Sequence, residues 1–188
     1  MSEVGMSGVR ATSPAPGWPD AVSPGPDLAR LALHADASAR AAIESVLGVE
    51  MPTTPLSSRR GGGRTVLHLA PDEWLVLSEP GSAPALVDAL YKSVSAPMSA
   101  VDVSDRQLPI AVSGANAEAL LNAGCPLDLS LAAFPVGMAT RTLFGKAGVV
   151  LWRTAEAAFH MEVWRSFHDY CLQVLQLAAL DLDAEVAL

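Results

Sequence analysis

The densest polar cluster in the sequence is Asp102-Val-Ser104-Asp105-Arg106. Carboxylates beside a cation suit amine anchoring or general acid–base work, so Asp102 or Asp105 is a candidate to face a ligand. A structural reading pairs Asp105 with Arg106 and lets Ser104 satisfy nearby backbone groups; it is the favoured one. Asp72-Glu73 reads as turn residues, and Asp128 as a turn or helix cap. Of the two cysteines, Cys171 falls on an apolar helical stripe, where a thiol behaves as a small hydrophobe. Cys125 precedes Pro126 in a loop and is the candidate for an exposed thiol. A nucleophile needs a base, and no histidine is near it in sequence. His34, His68, His160 and His168 show neither H-x-x-x-H nor H-E-x-x-H spacing, which disfavours zinc. His68 and His160 sit in apolar strand-like stretches and read as satisfied structural histidines.

Glycine motifs point away from phosphate chemistry. Gly61-Gly62-Gly63-Arg64 precedes a strand, whereas phosphate cradles join a strand to a helix N-terminus. Gly145-Lys146 echoes the end of a Walker loop, but Ala147 stands where Ser or Thr is required and no helix follows, so it reads as a hairpin turn. There is no G-x-G-x-x-G after a strand and no G-x-S-x-G elbow.

The elements that must position these residues follow from periodicity. Leu28–Leu33 reads as a strand. Asp36 is placed as the cap of a helix with Ala39, Ala42, Ile43, Val46 and Leu47 inward, stopped by Gly48. Pro52–Gly63 reads as a loop, then come strand Arg64–Leu69, a Pro71-Asp72 turn and strand Glu73–Leu77. Ser82 is placed as the cap of a second helix with Leu86, Ala89, Leu90 and Val94 on one face, and strand Ala100–Val103 follows. The order β-α-β-β-α-β is a split βαβ or ferredoxin-like unit. The second half repeats it. Strand Arg106–Val112 leads to a helix capped by Ser113 with Ala117, Leu120 and Leu121 inward. After an irregular Cys125–Pro135 come strands Met138–Phe144, Ala147–Trp152 and Phe159–Trp164. The last helix opens on a Ser166/Asp169 capping box and turns Phe167, Tyr170, Cys171, Val174, Leu175 and Ala178 inward. The fold class is therefore α+β: two diverged ferredoxin-like βαββ halves, about 28–104 and 105–182, with mixed or antiparallel sheets and four amphipathic helices. Residues 1–27 hold five of the 14 prolines and no apolar periodicity. They read as a flexible arm before a single domain over 28–188.

Composition bounds the function. The chain has 188 residues, 51% hydrophobic and 17% charged, with a mean hydropathy of +0.31. About 25% charged is usual for soluble proteins. The longest stretch free of Asp, Glu, Lys, Arg and His is Leu129–Thr140, interrupted by Pro135 and Gly137, so no membrane span is expected. Met1–Asp27 lacks the charged start and apolar core of a secretory signal. The apolar surplus fits either an Ala/Leu-rich core or a subunit that hides surface against partners. A net charge of −8, with no basic run beyond Arg59-Arg60, disfavours nucleic acid. Two distant cysteines without C-x-x-C fit a reducing cytoplasm.

Six segments occur in a fixed order: Pro71-Asp-Glu-Trp-Leu-Val-Leu77, Val101-Asp-Val-Ser-Asp-Arg106, Gly124-Cys-Pro-Leu-Asp-Leu129, Phe134 with Gly137, Arg141-Thr-Leu-Phe-Gly-Lys-Ala147, and Arg165-Ser-Phe-x-x-Tyr170. The series resembles the gamma-subunit family of heterotetrameric sarcosine oxidases, over roughly Leu28 to Leu182. The resemblance implies a complex that oxidatively demethylates sarcosine to glycine. The products are hydrogen peroxide and formaldehyde, or methylenetetrahydrofolate when tetrahydrofolate is present. It implies alpha, beta and delta partner subunits that hold FAD, FMN, NAD, zinc and tetrahydrofolate. It implies no catalytic, cofactor or metal residue on a gamma chain, and a fold similar to the folate-binding region of the glycine-cleavage T-protein. Trp74, Asp102, Asp105, Arg106, Cys125, Asp128, Arg141 and Arg165 then become fold-defining or interface candidates. Two other readings are weighed. A free-standing folate-binding one-carbon transfer protein, with Asp102 as acid/base or amine anchor, is expected to be much longer. An adaptor for iron–sulfur maintenance is expected to carry a K-G-C-Y-x-G-Q-E-like segment, which Gly124-Cys125-Pro126 fits poorly.

Overall fold

The computed structural model describes residues 19–186. The chain runs β1 (Val22–Pro24), β2 (Ala29–Ala35), α1 (Arg40–Leu47), β3 (Ser58–Gly61), β4 (Arg64–Ala70), β5 (Glu73–Ser78) and α2 (Ala83–Ser93). It continues through β6 (Met98–Asp102), β7 (Gln107–Ser113), α3 (Ala117–Asn122), β8 (Ala139–Phe144), β9 (Ala147–Ala155), β10 (Ala158–Trp164) and α4 (His168–Val186). All ladders are antiparallel and build two five-stranded sheets, β3-β4-β5-β2-β6 and β1-β7-β10-β9-β8. Read from its other edge, the second sheet is β8-β9-β10-β7-β1. The halves therefore match element for element, and β1 takes the place beside β7 that β6 takes beside β2. The α+β class with two ferredoxin-like halves holds.

Two strands depart from the sequence reading. Ser58–Gly61 is strand β3 inside the expected loop. It carries no apolar alternation and forms by pairing with β4 across Gly62-Gly63, both at positive φ. Val22–Pro24, at the end of the expected arm, is strand β1. Val22 is buried in the core of the second half, so this stretch pairs and packs. Residues 1–18 of that arm lie outside the described residues.

Helix starts also differ. Asp36 accepts the Ser38 N–H at 2.7 Å in a turn, and α1 begins later, after Ala39. Ser82 is the N-cap position of α2 as expected, yet its hydroxyl bonds back to Glu79 O at 2.7 Å. Ser113 ends β7, and Asn116 precedes α3. Ser166 lies in a 3-10 turn, Arg165–Phe167, that feeds α4 directly and leaves Phe167 exposed. Gly48 does stop α1: at φ 64° it donates its N–H to Glu44 O at 2.8 Å.

The layers run helix–sheet–sheet–helix. Leu31, Leu33, Val66 and Val76 pack on Ile43, Leu47, Leu86 and Leu90. Ile110, Val149, Met161 and Val163 pack on Leu120, Leu121, Cys171 and Leu175. Leu67, Leu69, Leu75 and Leu77 meet Ala139, Val150 and Trp152 where the sheets face each other.

Gly124 is set by this packing. A Cβ there meets three ring atoms of fully buried Phe144 at 2.8 to 3.1 Å. Gly124→Ala is expected to cost about 1–3 kcal/mol through overpacking, read as a lowered urea midpoint. An unchanged midpoint contradicts this packing.

Candidate functional site

Burial on both faces of the two sheets decides where the charges go. On β10, Phe159, Met161 and Val163 face the helices, so His160, Glu162 and Trp164 face the other sheet. On β2, Leu31 and Leu33 face their helices, so Arg30 points back across the gap. Arg30 Nε meets Glu162 Oε2 at 2.6 Å, with both side chains almost wholly buried. Glu162 Oε1 meets His160 Nε2 at 2.7 Å, and Arg30 Nη1 donates to Leu28 O at 2.6 Å. Burial alone raises the Glu162 pKa, but the His160 hydrogen bond, its charge and the Arg30 guanidinium outweigh that and hold it below the usual carboxylate value. This group ties the halves together and leaves Arg30 Nη2 without a partner.

Towards one end of the same seam the sheets part into a cleft of about 200 Å³. Its walls include Glu73 and Trp74 from β5, Arg106 and Gln107 at the start of β7, Arg141 from β8, Gly148 from β9 and Trp164 from β10. Arg141 grips Glu73 through both terminal guanidinium nitrogens, Nη1 at 2.6 Å from Oε2 and Nη2 on Oε1. That bond leads in lowering the Glu73 pKa; burial opposes it, and the charges of Arg141, His34 and Arg106 add to it. Arg106 lies over the Trp164 ring, 5.5 Å from its centroid, and forms no ion pair among the described residues. Gln107 is buried with its Oε1 unpartnered. The cavity falls below the roughly 300–1,000 Å³ usual for small-molecule sites. A flavin or a folate does not fit in it.

Three of the eight singled-out residues, Trp74, Arg106 and Arg141, meet at this cleft. Trp74 is buried, stacks on His68 at 5.1 Å and donates Nε1–H to Pro52 O at 3.2 Å. Asp105 pairs with Arg165 at 3.8 Å instead of with Arg106, because β10 and its turn bring Arg165 back beside it. Arg165 Nε also donates to Asp105 O at 3.1 Å. Asp102 Oδ1 accepts the Ser104 N–H at 2.9 Å and its hydroxyl at 2.6 Å, a turn-holding role. Asp128 accepts the Ser130 N–H at 2.9 Å in the same fashion, and these bonds lower its pKa. Cys125 is buried, contrary to the exposed-thiol expectation, with Sγ 3.9 Å from Thr142 Oγ1. Cys171 is buried as expected, and desolvation pushes its thiol up to about 11. Trp152 is buried between the sheets, donating to Ser58 Oγ at 3.1 Å. His68 and His160 are satisfied structural histidines.

Sequence reasoning missed Arg30, Glu162, Gln107 and Arg153. The available signal was a charge or amide in mid-strand between apolar neighbours, as in Leu151-Trp-Arg153 and Met161-Glu-Val163. Such a residue is affordable only when another element supplies its partners.

Residues 32–181 match the family described as "Sarcosine oxidase, gamma subunit family". A sarcosine oxidase subunit gamma from Corynebacterium sp. (strain P-1) is 34% identical over 115 residues, 60% of this chain and 55% of that protein. Another, from Arthrobacter sp., is 34% identical over 125 residues, 64% of this chain and 60% of that protein. Both matches thus span little more than half of those relatives' length. Among solved structures, heterotetrameric sarcosine oxidase from Corynebacterium sp. U-96, in complex with pyrrole 2-carboxylate, contains a chain that superposes with a TM-score of 0.78. It is 28% identical, covering 85% of this chain and 83% of that one. Glycine cleavage system aminomethyltransferase T from Bartonella henselae superposes with a TM-score of 0.58 at 14% identity, over 81% of this chain and 46% of that one, a likeness of fold alone.

Proposed function

We propose, from the premise that this chain belongs to the sarcosine oxidase gamma subunit family, that it is the non-catalytic gamma subunit of a heterotetrameric sarcosine oxidase. The observation that carries the reading is the family match along residues 32–181, which takes in both sheets from β2 onward. In this reading the alpha and beta subunits hold FAD, FMN and NAD, the delta subunit holds zinc, and tetrahydrofolate binds on a partner chain. The complex oxidises the N-methyl group of sarcosine: sarcosine, O2 and water give glycine, formaldehyde and hydrogen peroxide, or, with tetrahydrofolate in place of water, glycine, methylenetetrahydrofolate and hydrogen peroxide. This chain supports the flavin-bearing chains. Its cleft, too small for their cofactors, and its buried inter-sheet charges fit a rigid body better than a catalyst.

The cytoplasm is the proposed compartment, in keeping with two distant cysteines. No helix among the described residues is long and apolar enough to cross a membrane. The free-standing one-carbon transferase is not favoured, since the family match and both curated relatives are sarcosine oxidase gamma subunits, whereas the aminomethyltransferase likeness is one of fold.

Co-expression with the products of neighbouring genes tests the proposal. The tagged chain is expected to co-purify with three companions, one carrying covalent flavin. Calorimetry of the isolated chain with tetrahydrofolate is expected to give no heat up to millimolar ligand. A monomer that never co-elutes with a flavoprotein overturns the proposal.

A further inference from the structure

The mouth of the inter-sheet cleft carries exposed apolar side chains beside a glycine. Trp164 is 51% exposed and Leu143 is 53% exposed. Leu143 pairs across the ladder with Gly148, which lines the cleft with Trp164 and has open space where its side chain would be. Two apolar side chains thus stand beside a hollow strand position. Inside, the charges do not balance. Glu73 is held by Arg141, while Arg106 lies over the Trp164 ring and reaches Glu73 only through its charge, with no ion pair of its own among the described residues. The mouth is therefore cationic on a chain whose net charge is −8. Gln107 adds a buried acceptor with no donor.

We propose that this mouth receives a loop of a partner subunit which inserts one carboxylate side chain, flanked by apolar residues, between Arg106 and Gly148. Size selects a side chain over a whole ligand, because about 200 Å³ is below the range of small-molecule sites but ample for one or two protein side chains. Charge selects a carboxylate: the exposed Arg106 guanidinium, which forms no ion pair among the described residues, gains a charge-assisted bond once a docked loop covers it. A backbone N–H of the same loop supplies the donor that Gln107 Oε1 lacks. Trp164 and Leu143 supply the apolar area that interface cores are enriched in.

The inference rests on the subunit reading, and its test separates the two. The complex is reconstituted from the full chain and its companions, and its dissociation constant is measured by dilution in mass photometry. Arg106→Glu places like charges together. Gly148→Leu fills the hollow, where an added Cβ meets nothing within 4 Å, so its unfolding midpoint is expected to match wild type. Each is expected to weaken assembly about tenfold or more. Arg106→Lys, which keeps the charge, stays near wild type. Added salt is expected to weaken the wild-type complex and to tighten the Arg106→Glu complex, whose like-charge repulsion it screens. If both disruptive variants assemble like wild type, the docking proposal is overturned and the subunit reading stands. If the wild-type chain assembles with no companion, both fall. If succinate binds the isolated chain and Gly148→Leu abolishes that binding without touching assembly, the cleft is a small-molecule site and the proposal is overturned.

Discussion

Glu162→Ala is expected to destabilise the protein by about 3–5 kcal/mol, because it strands a buried cation. Arg30 and Glu162 are almost wholly buried and meet at 2.6 Å across the seam between the sheets. Without the carboxylate, the guanidinium keeps Leu28 O as a partner and loses its counter-ion. Water does not reach it, since β2 and β10 are each covered on both faces. His160 loses its 2.7 Å partner as well. Domains are stable by about 5–15 kcal/mol in total, so the variant is expected to populate unfolded chain at ambient temperature. The double variant Arg30→Met/Glu162→Leu removes both charges and keeps the volume. It is expected to be neutral or to gain up to about 4 kcal/mol. Urea unfolding followed by tryptophan fluorescence measures both. A double variant as unstable as Glu162→Ala refutes the claim that an unpaired charge is the cause.

The same group sets an acid limit, and its sign is fixed. The Glu162 pKa is lowered from 4.5 in the folded chain. A depressed carboxylate contributes stability that is fully present above its unfolded value and is lost as pH falls through its folded value. The advantage of wild type over Glu162→Gln is therefore expected to shrink as pH falls below 4.5. Arg30 stays charged throughout that range.

Much of this fold is legible in residue order because each helix has one apolar face, and most strands alternate or run apolar between turn residues. Pro71-Asp72 and Gly145-Lys146 mark two hairpins directly, with Asp72 and Gly145 both at positive φ. What stays hidden has one physical origin: the halves complete each other. β3 has no apolar signature and exists through its ladder with β4. β1 carries a single buried residue, Val22, and is recruited by β7 from across the sequence. Phe159-His-Met-Glu-Val-Trp164 alternates like a strand with a wet face, yet His160 and Glu162 are buried because a second sheet lies over them. For the candidate site, Arg106, Arg141 and Trp74 were singled out, but Arg165 as the partner of Asp105 depends on a contact 60 residues away in sequence. Sequence adjacency suggested Arg106 instead.

Arg153 is the second place where one residue's loss should be severe, and there the damage should be local. Its side chain is 1% exposed and stacks over Phe159 at 4.7 Å. Nη1 donates to Leu129 O at 2.7 Å and to Phe134 O at 3.0 Å. Nε and Nη2 both reach Glu156 O, and Nη2 also meets the Glu118 carboxylate. One guanidinium thus holds the irregular stretch between α3 and β8, the β9–β10 turn and α3 itself. Arg153→Met keeps the apolar stem and leaves the buried Leu129 and Phe134 carbonyls without donors, while the carbonyl of exposed Glu156 turns to water. Each buried orphan costs about 1–3 kcal/mol, and because they share one cation the total is expected at about 3–5 kcal/mol. Glu118 is half-exposed and is rescued by water. Arg153→Lys should recover little, since an ammonium cannot reproduce a planar fork aimed at separate acceptors. Hydrogen exchange separates this lesion from the one at Glu162. In Arg153→Met, amides between residues 125 and 137 and around Glu156 should exchange much faster, while β2, β4 and β5 keep their protection. In Glu162→Ala both sheets should loosen together, because that charge joins them. Uniform loss of protection in Arg153→Met argues against a local clamp and assigns the residue to the global core instead.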